Sequence, residues 1–204
     1  AGCVLTQRTK DETERDIVFK SVEEEAPELD PNNPRTYVDR SDFHRLNPKT
    51  YDQAVANATK AIELDPSLAE AYVSRASVLV EISHFAHAPH GSLAEGEVST
   101  ESISAWSLPT KVLVEKAIAD ATKAIELNPD LANAYFARAH VYLDTKKSAL
   151  AIKDYDRVLE LSPNIYLVVM AFVHRSRGHW QLGLLNQAIQ DAIMALELEP
   201  DLAA

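Results

Sequence analysis

Four stretches of the sequence share one pattern: AVANATKAIELDP at residues 54–66, AIADATKAIELNP at 117–129, AIKDYDRVLELSP at 151–163 and AIQDAIMALELEP at 188–200. Small or apolar residues recur in each at i, i+4 and i+7, as Ala54, Ala58 and Ala61 do in the first, which is the spacing of one face of an α-helix. Each stretch ends in a proline, which disfavours helical geometry in the residue before it. The sequence therefore predicts one helix that occurs four times.

A second helical segment follows three of these prolines: LAEAYVSRASVL from Leu68, LANAYFARAHVY from Leu131 and YLVVMAFVHRSRGHW from Tyr166. Two helices joined at a proline form a hairpin, and repeated hairpins stack on their neighbours. The prolines at 129 and 163 are 34 residues apart, those at 163 and 200 are 37 apart, and those at 66 and 129 are 63 apart. We assign the excess in the second repeat to an insertion at residues 83–112, with a short helix expected near residues 102–107.

Composition excludes several classes of protein. The 204 residues include 31 acidic and 20 basic ones, for a net charge of −11, and no basic stripe is present, so we expect no nucleic-acid partner. One cysteine excludes an intrachain disulfide framework and a Cys-rich zinc module. The sequence has no Gly-rich phosphate loop, GxSxG, HExxH or Cys/His nucleophile pair, so we predict neither an enzyme nor a cofactor.

The repeated residues resemble the tetratricopeptide repeat family, whose repeats of about 34 residues contain a helix A and a helix B. In the third repeat the matching residues are Tyr135, Ala139, Tyr142, Ala151, Tyr155, Val158 and Pro163. In the fourth they are Phe172, Ser176, Ala188, Ala192, Ala195 and Pro200, while His179 departs from an aromatic position. The first repeat matches in helix B only. The resemblance implies an all-α, right-handed solenoid over residues 34–204, with repeats at about 35–66, 67–129, 130–163 and 164–200.

The first 33 residues differ from the rest. They carry nine acidic and four basic residues, so we expect a flexible acidic N-terminal arm. Cys3 follows Ala-Gly, which resembles the lipidation signal of bacterial lipoproteins and makes Cys3 a candidate lipid anchor, the one expected route to a membrane. A lipid anchor would place the protein in the bacterial envelope; without it we expect a soluble cytoplasmic or organellar protein.

Two sets of residues recur in step with the repeats. Arg75, Arg138 and Arg175 share one position of helix A, and Asp120, Asp154 and Asp191 share one position of helix B. An antiparallel hairpin brings these positions together, so we predict an Arg–Asp pair within each of these repeats rather than an arginine ladder for an acidic ligand.

The family resemblance also implies a concave groove, lined by helix A, that binds a protein or peptide partner. Carried over by position, the groove residues are Val73, Ser77, Val80, Asn133, Phe136, His140, Leu143, Val173, His174, Arg177 and Trp180. The alternative for Phe136 and Trp180 is packing against the next helix or against the insertion itself. The Lys/Asn/Arg clamp with which some members hold acidic chaperone tails is absent, because its positions hold Val73, Ser77, Ala137, Met170 and His174.

Three other interpretations remain open. His84, His87 and His90 are candidate metal ligands, although zinc normally takes three or four ligands and Pro89 and Gly91 interrupt a helix there. The insertion at residues 83–112 would be the docking element if the chain is a structural subunit of a larger complex. A lipid-anchored chain would act in envelope assembly.

Overall fold

The computed structural model describes residues 27–85, 109–162 and 164–199, and these residues form eight α-helices and no strand. The helices are α1 Pro34–His44, α2 Tyr51–Leu64, α3 Ala69–Phe85, α4 Thr110–Leu127, α5 Ala132–Asp144, α6 Ser148–Leu161, α7 Ile165–Gln181 and α8 Leu185–Leu198. A 3₁₀ turn at Pro48–Thr50 leads into α2. The fold class predicted from the repeats is confirmed.

The eight helices form four antiparallel hairpins, α1/α2, α3/α4, α5/α6 and α7/α8, stacked into a right-handed solenoid. The first helix of each hairpin also contacts the first helix of the next, so α1, α3, α5 and α7 lie side by side. These four helices are the A helices of the repeats, and together they form the inner face of the solenoid.

The helix ends follow from local sequence. Asn33 caps α1 by accepting a hydrogen bond from the Arg35 backbone N–H, and Pro34 occupies the first turn, where its missing N–H costs nothing. Asp65, Asn128 and Ser162 each precede a proline and end a B helix in extended conformation, with ψ of 93°, 94° and 121°. This is the conformation that a following proline imposes.

The core is built largely of alanine because the helices approach closely. Ala76, Ala121 and Ala137, from three consecutive helices, pack as one cluster. Larger side chains fill the wider spaces, and Tyr155 of α6, which contacts Phe136 of α5 and His174 of α7, is completely buried. Mixing small and large side chains in this way fills the space between helices at the density of a protein interior.

The structure adjusts two predicted boundaries. Arg40 Nη1 donates to the carbonyl oxygen of Pro27 at 2.7 Å, and Thr36 Oγ1 donates to that of Asp30 at 3.0 Å, so residues 27–33 lie along α1. The insertion is shorter than 83–112 at both ends, because α3 extends to Phe85 and α4 begins at Thr110. Residues 1–26, with Cys3, and the helix expected near 102–107 lie outside the described residues.

The 37-residue spacing of the fourth repeat has a structural explanation. Arg138 lies nine residues after Pro129, whereas Arg175 lies twelve residues after Pro163. The three extra residues therefore lengthen α7 at its N-terminal end by nearly one turn. Within the described chain, none of the helices has the length and apolar content that a bilayer crossing requires.

Candidate ligand-binding groove

A groove of about 460 Å³ lies on the inner face of the solenoid, and all four A helices contribute to it. Its lining comprises Val38, Asp42, Arg45, Glu70, Val73, Ser74, Ser77, Val80, Glu81, Leu131, Asn133, Phe136, Ala137, His140, Tyr166, Leu167, Met170 and His174. The volume lies within the range of clefts that bind ligands, about 300–1,000 Å³.

The half of the groove formed by α1 and α3 is acidic. Asp42, Glu70 and Glu81 line it together with one cation, Arg45. Arg45 Nε lies 3.9 Å from Asp42 Oδ1, and Ser74 Oγ donates to the same oxygen at 2.9 Å. Burial raises the pKa of Asp42, although the Ser74 hydrogen bond and the Arg45 charge oppose that shift. The carboxylates therefore outnumber the cations in this half.

The half formed by α5 and α7 is apolar and aromatic. The Phe136 ring makes edge-on contacts with the rings of Tyr155 and His174, both at 5.7 Å between centroids. Tyr166 is 70% exposed at the added turn of α7, beside Leu167. Phe136 is thus held in place by its neighbours while Tyr166 presents its ring to the groove, an arrangement suited to large apolar side chains of a ligand.

Two histidines lie next to this apolar surface. The rings of His140 and His174 are 4.9 Å apart between centroids. His140 Nε2 lies 3.9 Å from Asp144 Oδ2, and Arg177 Nη2 lies 3.4 Å from Asp144 Oδ1. Arg177 and Asp144 therefore join α5 to α7 beside the groove.

Arginine–aspartate pairs hold three of the hairpins together, as predicted. Each Arg donates from Nε and Nη2 to the two oxygens of one Asp, at 2.7 and 2.7 Å for Arg75–Asp120, 2.7 and 2.8 Å for Arg138–Asp154, and 3.0 and 2.5 Å for Arg175–Asp191. The side chains of Arg138 and Asp154 are 18% and 7% exposed. Because each guanidinium is engaged by its Asp, these arginines stabilise the fold and form no ladder for a ligand.

Each of these arginines also contacts the preceding B helix. The Nη1 atoms of Arg75, Arg138 and Arg175 donate to Thr59 Oγ1 at 3.4 Å, Thr122 Oγ1 at 3.3 Å and Asp156 Oδ1 at 2.6 Å. One guanidinium thus joins the two helices of its own hairpin and also fixes that hairpin to the one before it.

Seven of the eleven groove residues predicted from the sequence line the observed groove: Val73, Ser77, Val80, Asn133, Phe136, His140 and His174. Leu143 does not, and its assignment to the groove is corrected. Its side chain is completely buried in the core, where a methyl group lies 3.6 Å from the point at which a Cβ on Gly178 would lie. The tighter contact of Gly178 is with Ile152 of α6, whose side chain would lie 3.1 Å from such a Cβ, so the glycine allows α7 to pack closely against α6.

Val173, Arg177 and Trp180 also lie outside the groove lining. Val173 and Trp180 are 38% and 66% exposed, and Arg177 is paired with Asp144. Of the four large apolar residues Phe136, Leu143, Val173 and Trp180 that were predicted for the groove, only Phe136 lines it.

The repeat pattern did not predict that α1 and the added turn of α7 contribute to the groove lining. Val38, Asp42 and Arg45 come from a helix whose polar residues obscured its match to the repeat. Tyr166 and Leu167 precede the positions at which the repeat register places groove residues. The 37-residue interval between Pro163 and Pro200 was the sequence signal for Tyr166 and Leu167, because it places three extra residues before Arg175, at the N-terminal end of α7.

The candidate metal ligands fall at the edge of the described chain. His84 belongs to the last turn of α3, and His87 and His90 lie outside the described residues. Among residues 27–85, 109–162 and 164–199, no group of three or more His, Cys, Asp or Glu side chains is placed to hold a metal ion.

Comparison with known proteins agrees with the repeat pattern. The tetratricopeptide repeat family model matches residues 132–165, which form the third hairpin. A stretch of 61 residues is 36% identical to the protein SGT1 homolog of Oryza sativa subsp. japonica. That stretch is 30% of this chain and 16% of the rice protein, so the likeness covers one part of each.

Solved structures resemble the whole described solenoid. A thermophilic TPR protein of Thermus thermophilus, TTC0263, superposes with a TM-score of 0.63 and 16% identity, covering 91% of this chain and 81% of that one. MamA of Desulfovibrio magneticus RS-1, from residue 41 to its end, gives 0.58 and 16%, covering 95% and 97%. At these identities the structural likeness establishes the fold. The family model identifies residues 132–165 as a tetratricopeptide repeat, and the described chain has the fold of tetratricopeptide repeat proteins.

Proposed function

We propose that the chain is a non-catalytic adaptor that binds a peptide segment of a partner protein in the groove, and that this segment carries a Lys or Arg beside large apolar residues. The observation that carries the proposal is the division of one groove into an acidic half and an apolar half. A general adaptor role is in keeping with the repeat fold, whose stacked helices form extended concave binding surfaces.

Charge supports a cationic ligand. Asp42, Glu70 and Glu81 line the first half of the groove with Arg45 as their one cationic neighbour in the lining. Glu70 also lies 3.8 Å from Arg35, in a pair whose side chains are 41% and 69% exposed, respectively. Such an exposed pair contributes about 0–1 kcal/mol, so a ligand cation can replace Arg35 at small cost. The charge of the groove favours a basic segment over an acidic tail.

Shape supports apolar anchors in the second half. Phe136 contacts the rings of Tyr155 and His174, and the exposed Tyr166 lines the same groove together with Leu167 and Met170. Rigid aromatic side chains supply contact area at low entropic cost. One or two large apolar residues of the ligand would therefore provide most of the binding free energy.

A peptide-display selection tests the proposal. We expect the selected peptides to combine a Lys or Arg with Leu, Phe, Tyr or Trp a few residues away. Tyr166→Ala should weaken binding of a selected peptide by about tenfold or more, since hot-spot aromatics contribute about 1–2 kcal/mol or more. Tyr166 is largely exposed, so the variant should fold as the wild type does.

Trp180→Ala is the matched control, because Trp180 is also aromatic and exposed but lies outside the groove. Its affinity for the selected peptide should equal that of the wild type. Loss of binding in Trp180→Ala with retention in Tyr166→Ala would move the site to the C-terminal end of the solenoid and overturn the proposal.

A further inference from the structure

An exposed apolar surface lies on the last helix, away from the groove. Sixteen large apolar side chains are exposed in the described part of the chain, and nine of them lie within residues 180–198. Four of these, which we call the α8 row, are spaced by about one helical turn each: Leu185, Ile189, Ile193 and Leu196, at 57%, 58%, 49% and 42% exposure.

The same row exists on every other B helix, where it is covered. The equivalent residues are Tyr51, Val55, Thr59 and Ile62 on α2, Val114, Ile118, Thr122 and Ile125 on α4, and Ser148, Ile152, Asp156 and Leu159 on α6; all of them are buried or half-buried. On α6 the covering helix is α7, whose Gln181, Gly178 and Arg175 lie against Ser148, Ile152 and Asp156. The α8 row is therefore a surface of the kind that this fold covers with a helix.

The α8 row differs from the other three rows at Ile193, and this difference limits which kind of helix can cover it. Thr59, Thr122 and Asp156 supply the oxygen that accepts Nη1 of the next repeat's arginine, but Ile193 stands at that place on α8. A further repeat of the same type would press its guanidinium against the Ile193 side chain and leave Nη1 unpaired at a cost. The row is thus suited to a helix that is apolar at this point.

A second copy of α8 meets this requirement. Residues 185–199 include no Lys or Arg, and Asp191 is already bound by Arg175 and His179. If two α8 helices pack antiparallel about the row's centre, Ile189 of one copy lies beside Ile193 of the other. The two Glu197 carboxylates then stand on the order of 18 Å apart at 1.5 Å per residue, beyond the Debye length at physiological salt.

We propose that the α8 row is a self-association surface through which two copies of the chain pair about a two-fold axis. In a two-fold dimer the same surface patch of each copy contacts the other copy, so the patch must be complementary to itself. An apolar row with no charge at its centre meets that requirement. This pairing leaves the groove on the inner face open in each copy. The proposal does not depend on what the groove binds.

Analytical ultracentrifugation of the full chain tests the pairing. We expect a concentration-dependent monomer–dimer equilibrium for the wild type, and a monomer for Ile193→Glu, which would bury two carboxylates at the axis. Leu150→Glu is the matched control, since Leu150 is 47% exposed on α6 but is not part of that helix's row, and it should dimerise as the wild type does. A wild type that stays monomeric at about 100 µM, a concentration sufficient for micromolar affinity, overturns the proposal, and so does an Ile193→Glu dimer.

Disulfide trapping tests the orientation. In a Cys3→Ser background, a mixture of Ile189→Cys and Ile193→Cys chains should form a disulfide-linked dimer on mild oxidation, because Ile189 of one copy lies beside Ile193 of the other. Glu197→Cys in the same background should not, since antiparallel helices hold these positions apart. Cross-linking of Glu197→Cys, with none in the mixture of Ile189→Cys and Ile193→Cys chains, would contradict the antiparallel arrangement.

Discussion

The third and fourth repeats share the same Arg–Asp pair and differ in what surrounds it. Asp154 is bound by Arg138, whereas Asp191 is bound by Arg175 and also by His179, whose Nδ1 lies 2.9 Å from Asp191 Oδ2. The third repeat has the buried Tyr155 at the position where the fourth has the exposed Ala192. The Arg–Asp pair fixes how the two helices of a repeat pack together. The residue types at the other positions depend on whether another hairpin packs against the repeat.

Removing the arginine should give the largest difference between the two repeats. Arg138→Ala leaves the buried Asp154 carboxylate unpaired, and we expect a loss of about 3 kcal/mol in the free energy of unfolding. Arg175→Ala should cost less, because Asp191 keeps His179 and Asp156 is half exposed. Urea denaturation of the two variants measures both values.

Arg157→Ala is the control for this comparison. Arg157 pairs with Glu160 on α6 and its guanidinium lies 5.8 Å from the centre of the Tyr135 ring, and two such exposed contacts together contribute about 1 kcal/mol. If Arg138→Ala cost no more than Arg157→Ala, the pair would not be what holds the third hairpin together.

Substitutions in the turns that join the two helices of the third and fourth repeats should have the next largest effect on stability. Lys146 and Gly183 occupy equivalent places with positive φ of 61° and 74°. Gly183→Ala meets no neighbouring atom within 4 Å, so its expected loss of about 1–2 kcal/mol is purely conformational. Lys146→Gly should stabilise by up to about 1 kcal/mol, because it relieves the strain already present. Thermal unfolding that moved in the same direction for both variants would refute this explanation.

Removing the Tyr155 hydroxyl should have the smallest effect on the free energy of unfolding. It is buried, and no hydrogen-bond partner for it lies among the described residues, while burial raises its pKa. Tyr155→Phe keeps the ring that packs against Phe136 and His174, so we expect stability between unchanged and about 1 kcal/mol higher. Tyr155→Ala is the control and should cost about 3–5 kcal/mol by opening a cavity. A loss above about 1 kcal/mol in Tyr155→Phe would mean that the hydroxyl is satisfied.

Much of the fold was predictable because the same helical pattern occurs four times in the sequence. The alanine stripes, the prolines after Asp65 and Asn128, and the paired Arg and Asp positions each carry a local physical meaning that the structure confirms. The groove was predictable only in part. Repeat register assigns a direction to each side chain, but it does not show that Leu143 is buried in the core or that α7 begins a turn early and brings Tyr166 to the groove.

The α8 row shows a second reason for incomplete prediction. Leu185, Ile189, Ile193 and Leu196 have the spacing of a buried face, so their sequence alone indicates a core position. Whether they are covered depends on the next element in space, which local periodicity does not encode. The structure shows them exposed, and that fact led to the proposed self-association.

The most direct test of the central claim compares two peptides that differ in one charged residue. The first is a selected groove ligand, and the second replaces its Lys or Arg with Glu. Titration calorimetry should show the basic peptide binding at least about tenfold more tightly, or about 1.4 kcal/mol, with the difference shrinking at high salt and in a Glu70→Gln/Glu81→Gln variant. Equal affinities for the two peptides, or tighter binding of the acidic one, would contradict the proposal that the groove binds a cationic, apolar segment.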